Sequence, residues 1–366
     1  MIIYFVLLAI IAILLALNYK KVISKKTALL SCVLLMAIIV GLRSSTVGGD
    51  TSAYLRCYQL SSKITYKDIF SSFPYASYYE YDYGYSEKIE TVFLLYSKIL
   101  MSIFKSEYAV QFITALLTFV LFGLFIKNNS DNYRLPILIL LCEYVFFYSF
   151  NGVRQFLSIA IALQAIKYLR KRTSIFKPII IVAFASLFHI STLFFFLLFP
   201  LFIFKRGKNS LIFSVILAFS VAVLYIPFMK VLSSFLPFFN RYNSYIGMSL
   251  WGYSLGGTTL MWLFVLVLFF LNFINKGSLK KQDYVFMSIY LLYLVFELLT
   301  ISQTIFSRLV SDLRVFNILI IPYLMSNVSK SSKYGLLYKF VLMILLLGQF
   351  YSYASLESRM YSFFFF

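Results

Sequence analysis

Apolar runs of about 15 to 20 residues recur along the whole chain, and short charged loops separate them. Segments of this kind cross membranes as helices, because the hydrocarbon core offers no water. Every backbone N–H and C=O must therefore be hydrogen-bonded within the segment. The composition agrees, since 61% of the 366 residues are hydrophobic and the mean hydropathy is +0.88. The sequence therefore predicts an all-α, polytopic integral membrane protein of about 10 to 12 transmembrane helices.

The apolar runs predict a single integral membrane domain over residues 1–366, with no room for a separate soluble catalytic domain. The first run is expected to stay in the protein, because no small-residue cleavage site follows it. The predicted spans are residues 2–18, 28–42, 107–126, 135–150, 154–169, 211–228, 258–274, 284–301, 309–327 and 336–353. Any active site must then be built from helix ends and external loops, which would form a cavity at the membrane face.

Basic residues dominate the charge, with 33 Lys and Arg against 13 Asp and Glu and a net charge of +20. In a soluble protein this balance would indicate nucleic acid, but in membrane proteins lysine and arginine accumulate in cytoplasmic loops. The basic clusters between spans are residues 20–26, 170–177, 205–208, 276–281 and 330–339. This pattern predicts no nucleic-acid partner, and it places the loops 43–88 and 229–257, with both termini, on the external side.

Two apolar segments need a different arrangement to satisfy this topology. Residues 86–105 place apolar side chains on one helical face and charges on the other, which predicts an interfacial amphipathic helix on the outer surface. Residues 178–204 are too short for two ordinary crossings, yet basic clusters flank both ends. They predict either a hairpin of two short helices, with its tip near His189 toward the external side, or one long tilted span.

Several arginines lie outside the basic clusters, so the positive-inside rule does not explain them. Arg43 ends the second predicted span, and Arg154 lies in the sequence Asn-Gly-Val-Arg-Gln at an external junction of two spans. Planar guanidinium groups bind phosphate oxygens through two parallel hydrogen bonds, so converging arginines can hold a pyrophosphate group. The alternative for each arginine is snorkelling to the interface or pairing with an external acid.

Asp50 and His189 are candidates for proton transfer. Asp50 follows Gly48 and Gly49, and it lies close enough in sequence to Arg43 for both to face one external cavity, although the glycines also suit an ordinary turn. His189 is the single histidine and lies in an apolar stretch, where it is either a hydrogen-bonded packing residue or a functional group.

Neither a metal nor a cofactor is predicted. One histidine excludes a histidine-rich metal site, and the three cysteines lack the CxxC spacing of a zinc site.

The polar segments together resemble a known family. Residues 41–43 and 47–51 read Gly-Leu-Arg and Val-Gly-Gly-Asp-Thr, residues 153–155 read Val-Arg-Gln, and residues 188–191 read Phe-His-Ile-Ser. In this order and approximate spacing, with the basic residues 170–172 between them, they resemble the EpsG-like group of Wzy-type polysaccharide polymerases. The resemblance is clearest over residues 41–204 and is compositional afterwards, apart from Arg308 and Arg314 before an apolar span.

The resemblance implies a metal-independent glycosyltransferase of the bacterial plasma membrane. Such an enzyme joins polysaccharide repeat units carried on undecaprenyl pyrophosphate at the external face, so its partners would be the lipid-linked oligosaccharide, membrane lipids, a flippase and a chain-length regulator. Asp50 or His189 would be the base or the group that orients the acceptor. The residues expected to bind the substrate are Arg43, Arg154, Gln155, Arg241, Arg308 and Arg314.

Two other functions are compatible with parts of the sequence. A membrane O-acyltransferase acting on a cell-surface glycan would also use a buried histidine, but it would take a thioester donor from the cytoplasmic side. A flippase for lipid-linked oligosaccharides would bind its cargo without altering it. The predicted external placement of His189 and the grouping of the arginines at one face favour the polymerase.

Overall fold

A computed structural model describes residues 1–71, 75–80, 85–204, 207–235, 256–276, 279–331, 334–356 and 360–365. It confirms the predicted fold class of an all-α, multi-pass membrane protein. Within the described residues, six helices are long and apolar enough to cross a membrane, and a helix pair bent by 45° would add a seventh. The six are Ile2–Tyr19, Glu107–Asn129, Gly207–Pro227, Thr258–Asn275, Lys281–Ser302 and Gly335–Ala354.

The predicted count of 10 to 12 spans is larger because it includes apolar segments that the structure forms as shorter or broken helices. Residues 135–150 divide at Glu143, and residues 309–327 divide at the bend between residues 314 and 317. Residues 154–169 contain a 3-10 turn at Leu163–Ala165, and the second predicted span is a helix of 17 residues. Hydropathy locates these apolar segments but does not report such breaks.

The chain forms two compact units, which we call unit 1 and unit 2. Unit 1 comprises Met1–Leu193 with Phe350–Phe366, and unit 2 comprises Phe194–Gln349. The helices that begin in unit 1 are α1 (Ile2–Tyr19), α2 (Lys25–Gly41), α3 (Thr51–Lys63), α4 (Tyr66–Ser71), α5 (Thr91–Phe104), α6 (Glu107–Asn129), α7 (Arg134–Cys142), α8 (Tyr144–Tyr148), α9 (Val153–Ala162), α10 (Ile166–Lys171) and α11 (Phe176–Ser186). Those that begin in unit 2 are α12 (Phe195–Ile203), α13 (Gly207–Phe235), α14 (Gly256–Lys276), α15 (Lys281–Ser302), α16 (Phe306–Arg314), α17 (Asn317–Ser331) and α18 (Gly335–Ala354).

In unit 1, helix α2 packs closely against α6. A Cβ atom on Gly41 would lie 2.7 Å from the Phe112 side chain and 2.9 Å from the Phe112 Cα, so only glycine permits this approach. Gln111 stabilises the same contact, because its amide nitrogen donates to the carbonyl oxygens of Gly41 and Arg43, both at 2.9 Å. The segment that contains Arg43 is thereby fixed to α6.

A two-stranded hairpin precedes α5. Strands β1 (Tyr75–Glu80) and β2 (Tyr85–Glu90) are antiparallel, with Tyr75 opposite Glu90. The first residues of the segment 86–105 therefore belong to a strand, and its helix begins only at Thr91. The location of this helix on the outer membrane surface stays a prediction.

The end of the chain pairs with the segment that follows α2. The Ser44 amide donates to the Ser362 carbonyl at 2.9 Å, and the Phe364 amide donates to the Leu42 carbonyl at 3.1 Å. The Tyr361 hydroxyl donates to the Ile39 carbonyl at 2.8 Å. Residues 361–364 thus pair with the backbone on both sides of Arg43.

Residues 178–204 form two short helices rather than one long one. Helix α11 ends at Ser186, and α12 begins at Phe195 after a 3-10 turn at Ile190–Phe194. The predicted hairpin geometry of these helices stays a prediction, as does the external side of the loop 43–88. Of the predicted loop 229–257, residues 236–255 lie outside the described residues, and Arg241 is among them.

A buried carboxylate organises part of unit 2. Asp283 lies in the first turn of α15, where its Oδ2 accepts from the Lys280 amide at 2.7 Å. Its Oδ1 accepts from Asn272 Nδ2 of α14 at 2.8 Å and from the Tyr323 hydroxyl of α17 at 2.9 Å. A carboxylate at a helix N-terminus is stabilised by the exposed N–H groups and the helix dipole, so this residue joins three helices.

Candidate active site

Three ionisable side chains from separate parts of unit 1 meet in one place, which we call the Glu90 cluster. Glu90 is the last residue of β2, Arg154 lies in the first turn of α9, and His189 follows the end of α11. Arg154 Nη1 lies 2.5 Å from Glu90 Oε2, and His189 Nδ1 lies 3.1 Å from Glu90 Oε1. One carboxylate therefore bridges the guanidinium and the imidazole.

The Glu90 cluster is almost closed to solvent. The side chains of Glu90 and His189 are 4% and 3% exposed, and that of Arg154 is 12% exposed. Removing a charged group from water is costly unless an opposite charge and hydrogen bonds compensate it. The mutual contacts supply this compensation, and the low local dielectric strengthens the interaction of each charge with any ligand that enters.

Aromatic rings line the same place. The Arg154 guanidinium lies 5.7 Å from the centre of the Tyr54 ring and 6.0 Å from that of Phe93, and its Nε donates to the Tyr54 hydroxyl at 3.4 Å. Tyr96 packs at 6.0 Å from Phe93 and at 5.9 Å from Phe188, between ring centres. Such rings stabilise a cation over their faces and also suit the C–H faces of sugar rings.

Helix α9 positions both Arg154 and the backbone of His189. Ser158 lies four residues after Arg154, so the two side chains share one face of the helix. The Ser158 hydroxyl donates to the Ala185 carbonyl at 2.6 Å and lies 2.8 Å from the Thr192 hydroxyl. Thr192 in turn donates to the His189 carbonyl at 2.8 Å. The break after α11, which carries the imidazole, is thereby tied to the helix that carries the guanidinium.

Arg43 has a different environment. It is 1% exposed, its Nε donates to Thr51 Oγ1 at 3.1 Å, and its Nη2 donates to the Phe150 carbonyl at 3.1 Å. Its Nη1 donates to the Val40 carbonyl. Burial lowers the pKa of Arg43 to about 10, so the group stays charged at neutral pH. The structure directs these donors at protein oxygens, and the predicted contact with pyrophosphate stays a prediction.

The predicted Gly-Gly-Asp turn adjoins Arg43. Gly48 has a φ of +91°, and a Cβ there would lie 2.9 Å from both Asn151 Oδ1 and Thr51 Oγ1, so the turn requires glycine. Asp50 follows at the N-cap position of α3 and is exposed. The carboxylate that contacts Arg154 and His189 is that of Glu90, and the role of Asp50 stays a prediction.

The other predicted substrate-binding residues are distributed over both units. Gln155 is buried beside Arg154 in α9. Arg308 and Arg314 belong to α16 of unit 2, and Arg314 is buried. Their contacts with substrate stay predictions.

Glu90 is the one residue of the cluster that the sequence does not predict as a site residue, because the helical pattern over residues 86–105 places it among solvent-facing charges. A usable signal exists in the sequence. Glu90 lies between Ile89 and the apolar run that starts at Val92, and it is one of only 13 acidic residues, so it is an acid in an apolar setting. Burial of such a residue requires a partner of opposite charge, and the arginines outside the basic clusters are the candidates.

These features define a multi-pass membrane protein with a buried carboxylate, guanidinium and imidazole in one site. The family model described as the EpsG family matches residues 26–365, and the chain therefore belongs to the EpsG family. This is a family of EpsG-like polysaccharide polymerases, so membership indicates a polymerase-like role in polysaccharide biosynthesis and confirms the resemblance of the short motifs. No curated protein and no solved structure matches the chain.

Proposed function

We propose that this protein joins polysaccharide repeat units carried on undecaprenyl pyrophosphate, at the external face of the bacterial plasma membrane. The supporting observation is the Glu90 cluster, in which a cation suited to phosphate oxygens adjoins a carboxylate and imidazole pair suited to proton transfer. Transfer of a glycosyl group from a lipid pyrophosphate needs both functions in one place. Family membership supports the same class of reaction.

The proposed reaction is a glycosyl transfer without redox change. An acceptor hydroxyl oxygen bonds to the anomeric carbon of the donor, and the bond from that carbon to the pyrophosphate oxygen breaks. The electron pair leaves with the lipid pyrophosphate, whose negative charge Arg154 stabilises. The hydroxyl proton passes to His189 and later returns to solvent.

Glu90 orients the imidazole in this proposal. A carboxylate close to one ring nitrogen favours one orientation of the ring, leaves the other nitrogen as the base and stabilises the imidazolium that forms. Asp50, which the family resemblance implies as the base or the group that orients the acceptor, takes the orienting role in this proposal. Arg43, Gln155, Arg241, Arg308 and Arg314 remain candidates for further contacts with the lipid-linked substrate.

The test uses purified full-length protein in lipid vesicles with a lipid-linked repeat unit, and it resolves the products by gel electrophoresis. We expect Arg154→Ala and His189→Gln to lower the polymerisation rate by about 100-fold or more, since each removes a group that acts in the transition state. Arg154→Lys keeps the charge but cannot form bidentate hydrogen bonds to phosphate, and it should retain more activity than Arg154→Ala.

Arg134→Ala serves as the matched control, because Arg134 stacks on Tyr19 at the start of α7 and is separate from the Glu90 cluster. Its rate should equal that of the wild type. Wild-type polymerisation by either Arg154→Ala or His189→Gln, at equal folded amounts, would overturn the proposal. A protein that moves the lipid-linked unit across vesicles without joining units would instead be the flippase.

A further inference from the structure

We infer that Glu90 is an internal anion, which occupies the phosphate-binding side of Arg154 until a diphosphate-bearing substrate displaces it. The inference rests on the proposed function, because it assigns the diphosphate to Arg154. It adds a regulatory step at the same site, in which donor binding rearranges the residue that orients the base.

Geometry makes Glu90 a stand-in for a bound phosphate. Its Oε2 accepts from Arg154 Nη1 at 2.5 Å, and its Oε1 lies 3.1 Å from His189 Nδ1. Carboxylate and phosphate oxygens both accept charge-assisted hydrogen bonds from a guanidinium group. The substrate phosphate and Glu90 therefore compete for the Nη1 donor of Arg154.

Burial makes the contact of Arg154 with Glu90 and a contact with phosphate unfavourable together. With side-chain exposures of 4% for Glu90 and 12% for Arg154, solvent screens charges in this place only weakly. A phosphate at Arg154 beside an ionised Glu90 would bring like charges together at low dielectric, which is strongly unfavourable. In this proposal, diphosphate binding relieves the repulsion by moving the Glu90 carboxylate away from the guanidinium.

The place of Glu90 in the chain suits such a movement. It is the junction between β2 and α5, as the last residue of the strand and the N-cap residue of the helix. A rotation of its side chain, or a shift of the strand end, releases Arg154. The contact of Oε1 with His189 can persist, so the carboxylate then orients the imidazole alone, and the base is assembled only when the donor is present.

The test measures the affinity of methylene diphosphonate for purified full-length protein by isothermal titration calorimetry. We expect Glu90→Gln to bind this probe at least about tenfold more tightly than the wild type, because close buried charge pairs are coupled by more than the equivalent of one factor of ten. In the polymerisation assay, the same variant should lower both kcat and the KM for the donor. A residue that only orients the base would lower kcat and leave the KM unchanged.

Glu107→Gln is the matched control. Glu107 lies at the start of α6, contacts Gln59 and is outside the Glu90 cluster, so the same loss of charge there should leave probe affinity unchanged. If Glu90→Gln does not fold, Glu90→Asp replaces it, since the shorter carboxylate keeps the charge and weakens the contact, which should give tighter binding of intermediate size.

Equal or weaker probe binding by a folded Glu90 variant would overturn the inference. The proposed function would survive that result if Arg154→Ala still abolished both probe binding and polymerisation. Normal polymerisation by Arg154→Ala would instead remove the proposed function, whatever the affinity of the Glu90 variants.

Discussion

Arg43, which is buried, and Arg154, which is 12% exposed, are two arginines of unit 1 with opposite kinds of partners. Arg43 donates to the backbone carbonyls of Val40 and Phe150 and to the Thr51 hydroxyl, whereas Arg154 contacts the Glu90 carboxylate. Backbone carbonyls are fixed by the helix ends that carry them, but a carboxylate on a side chain can rotate away. The identity of the partner, rather than the location at a helix end, thus indicates whether a ligand can take its place.

The largest expected effects of replacing these two arginines are on stability. Arg43→Met removes the donor to three buried oxygens, and at about 1 to 3 kcal/mol for each unmet group the free energy of unfolding should fall by about 3 kcal/mol or more. Arg154→Met leaves the Glu90 charge uncompensated, so adding Glu90→Gln to it should restore most of the lost stability. Thermal unfolding in detergent measures both effects. Equal stability of Arg43→Met and the wild type would mean that the hydrogen bonds of Arg43 to protein oxygens do not stabilise the fold, so that its donors could bind a ligand instead.

An intermediate effect is expected where α9 positions the imidazole. Ser158→Ala removes the hydroxyl that holds the Ala185 carbonyl, so a shift of His189 should lower kcat by about tenfold, since small misplacements of catalytic groups are costly. The KM for the donor should stay constant, because Arg154 keeps its contacts. Ser158→Thr should restore part of the rate.

Ser186→Ala is the matched control for Ser158, because within the described part of the chain its hydroxyl donates to its own helix, to the Ala183 carbonyl at 2.8 Å. Its kinetics should equal those of the wild type. A rise in the KM for Ser158→Ala, with kcat unchanged, would contradict the positioning role.

The smallest expected effect concerns the aromatic ring beside Arg154. Tyr54→Phe loses a hydrogen bond that is long, at 3.4 Å, and keeps the ring, so the donor KM should change by about twofold or less. Tyr54→Leu also removes the contact between the cation and the ring, worth about 0.5 to 1 kcal/mol, and should raise the KM by about two- to fivefold. Donor titrations in the polymerisation assay separate the two variants, and identical KM values for both would exclude a role for the ring.

The sequence predicts the membrane helices and two of the three residues of the Glu90 cluster. Hydropathy is a local property, so apolar runs identify the spans, and short motifs identify Arg154 and His189. The sequence pattern does not identify Glu90, because its role depends on a contact with a residue 64 positions away. In addition, the preceding hairpin lies in a run of tyrosines and acids without the alternation typical of strands. The breaks in the apolar runs escape for a related reason, since they arise from tertiary packing.

The pairing of residues 361–364 with the segment after α2 has a consequence for biosynthesis. Ser44 and Ser362 are joined by a hydrogen bond between residues 318 positions apart, so the first partner leaves the ribosome and enters the membrane long before the second exists. The earlier segment must wait in an incomplete state while the intervening helices are inserted. A chain that lacks residues 361–364 therefore lacks these hydrogen bonds, and its Arg43 segment stays unpaired with them.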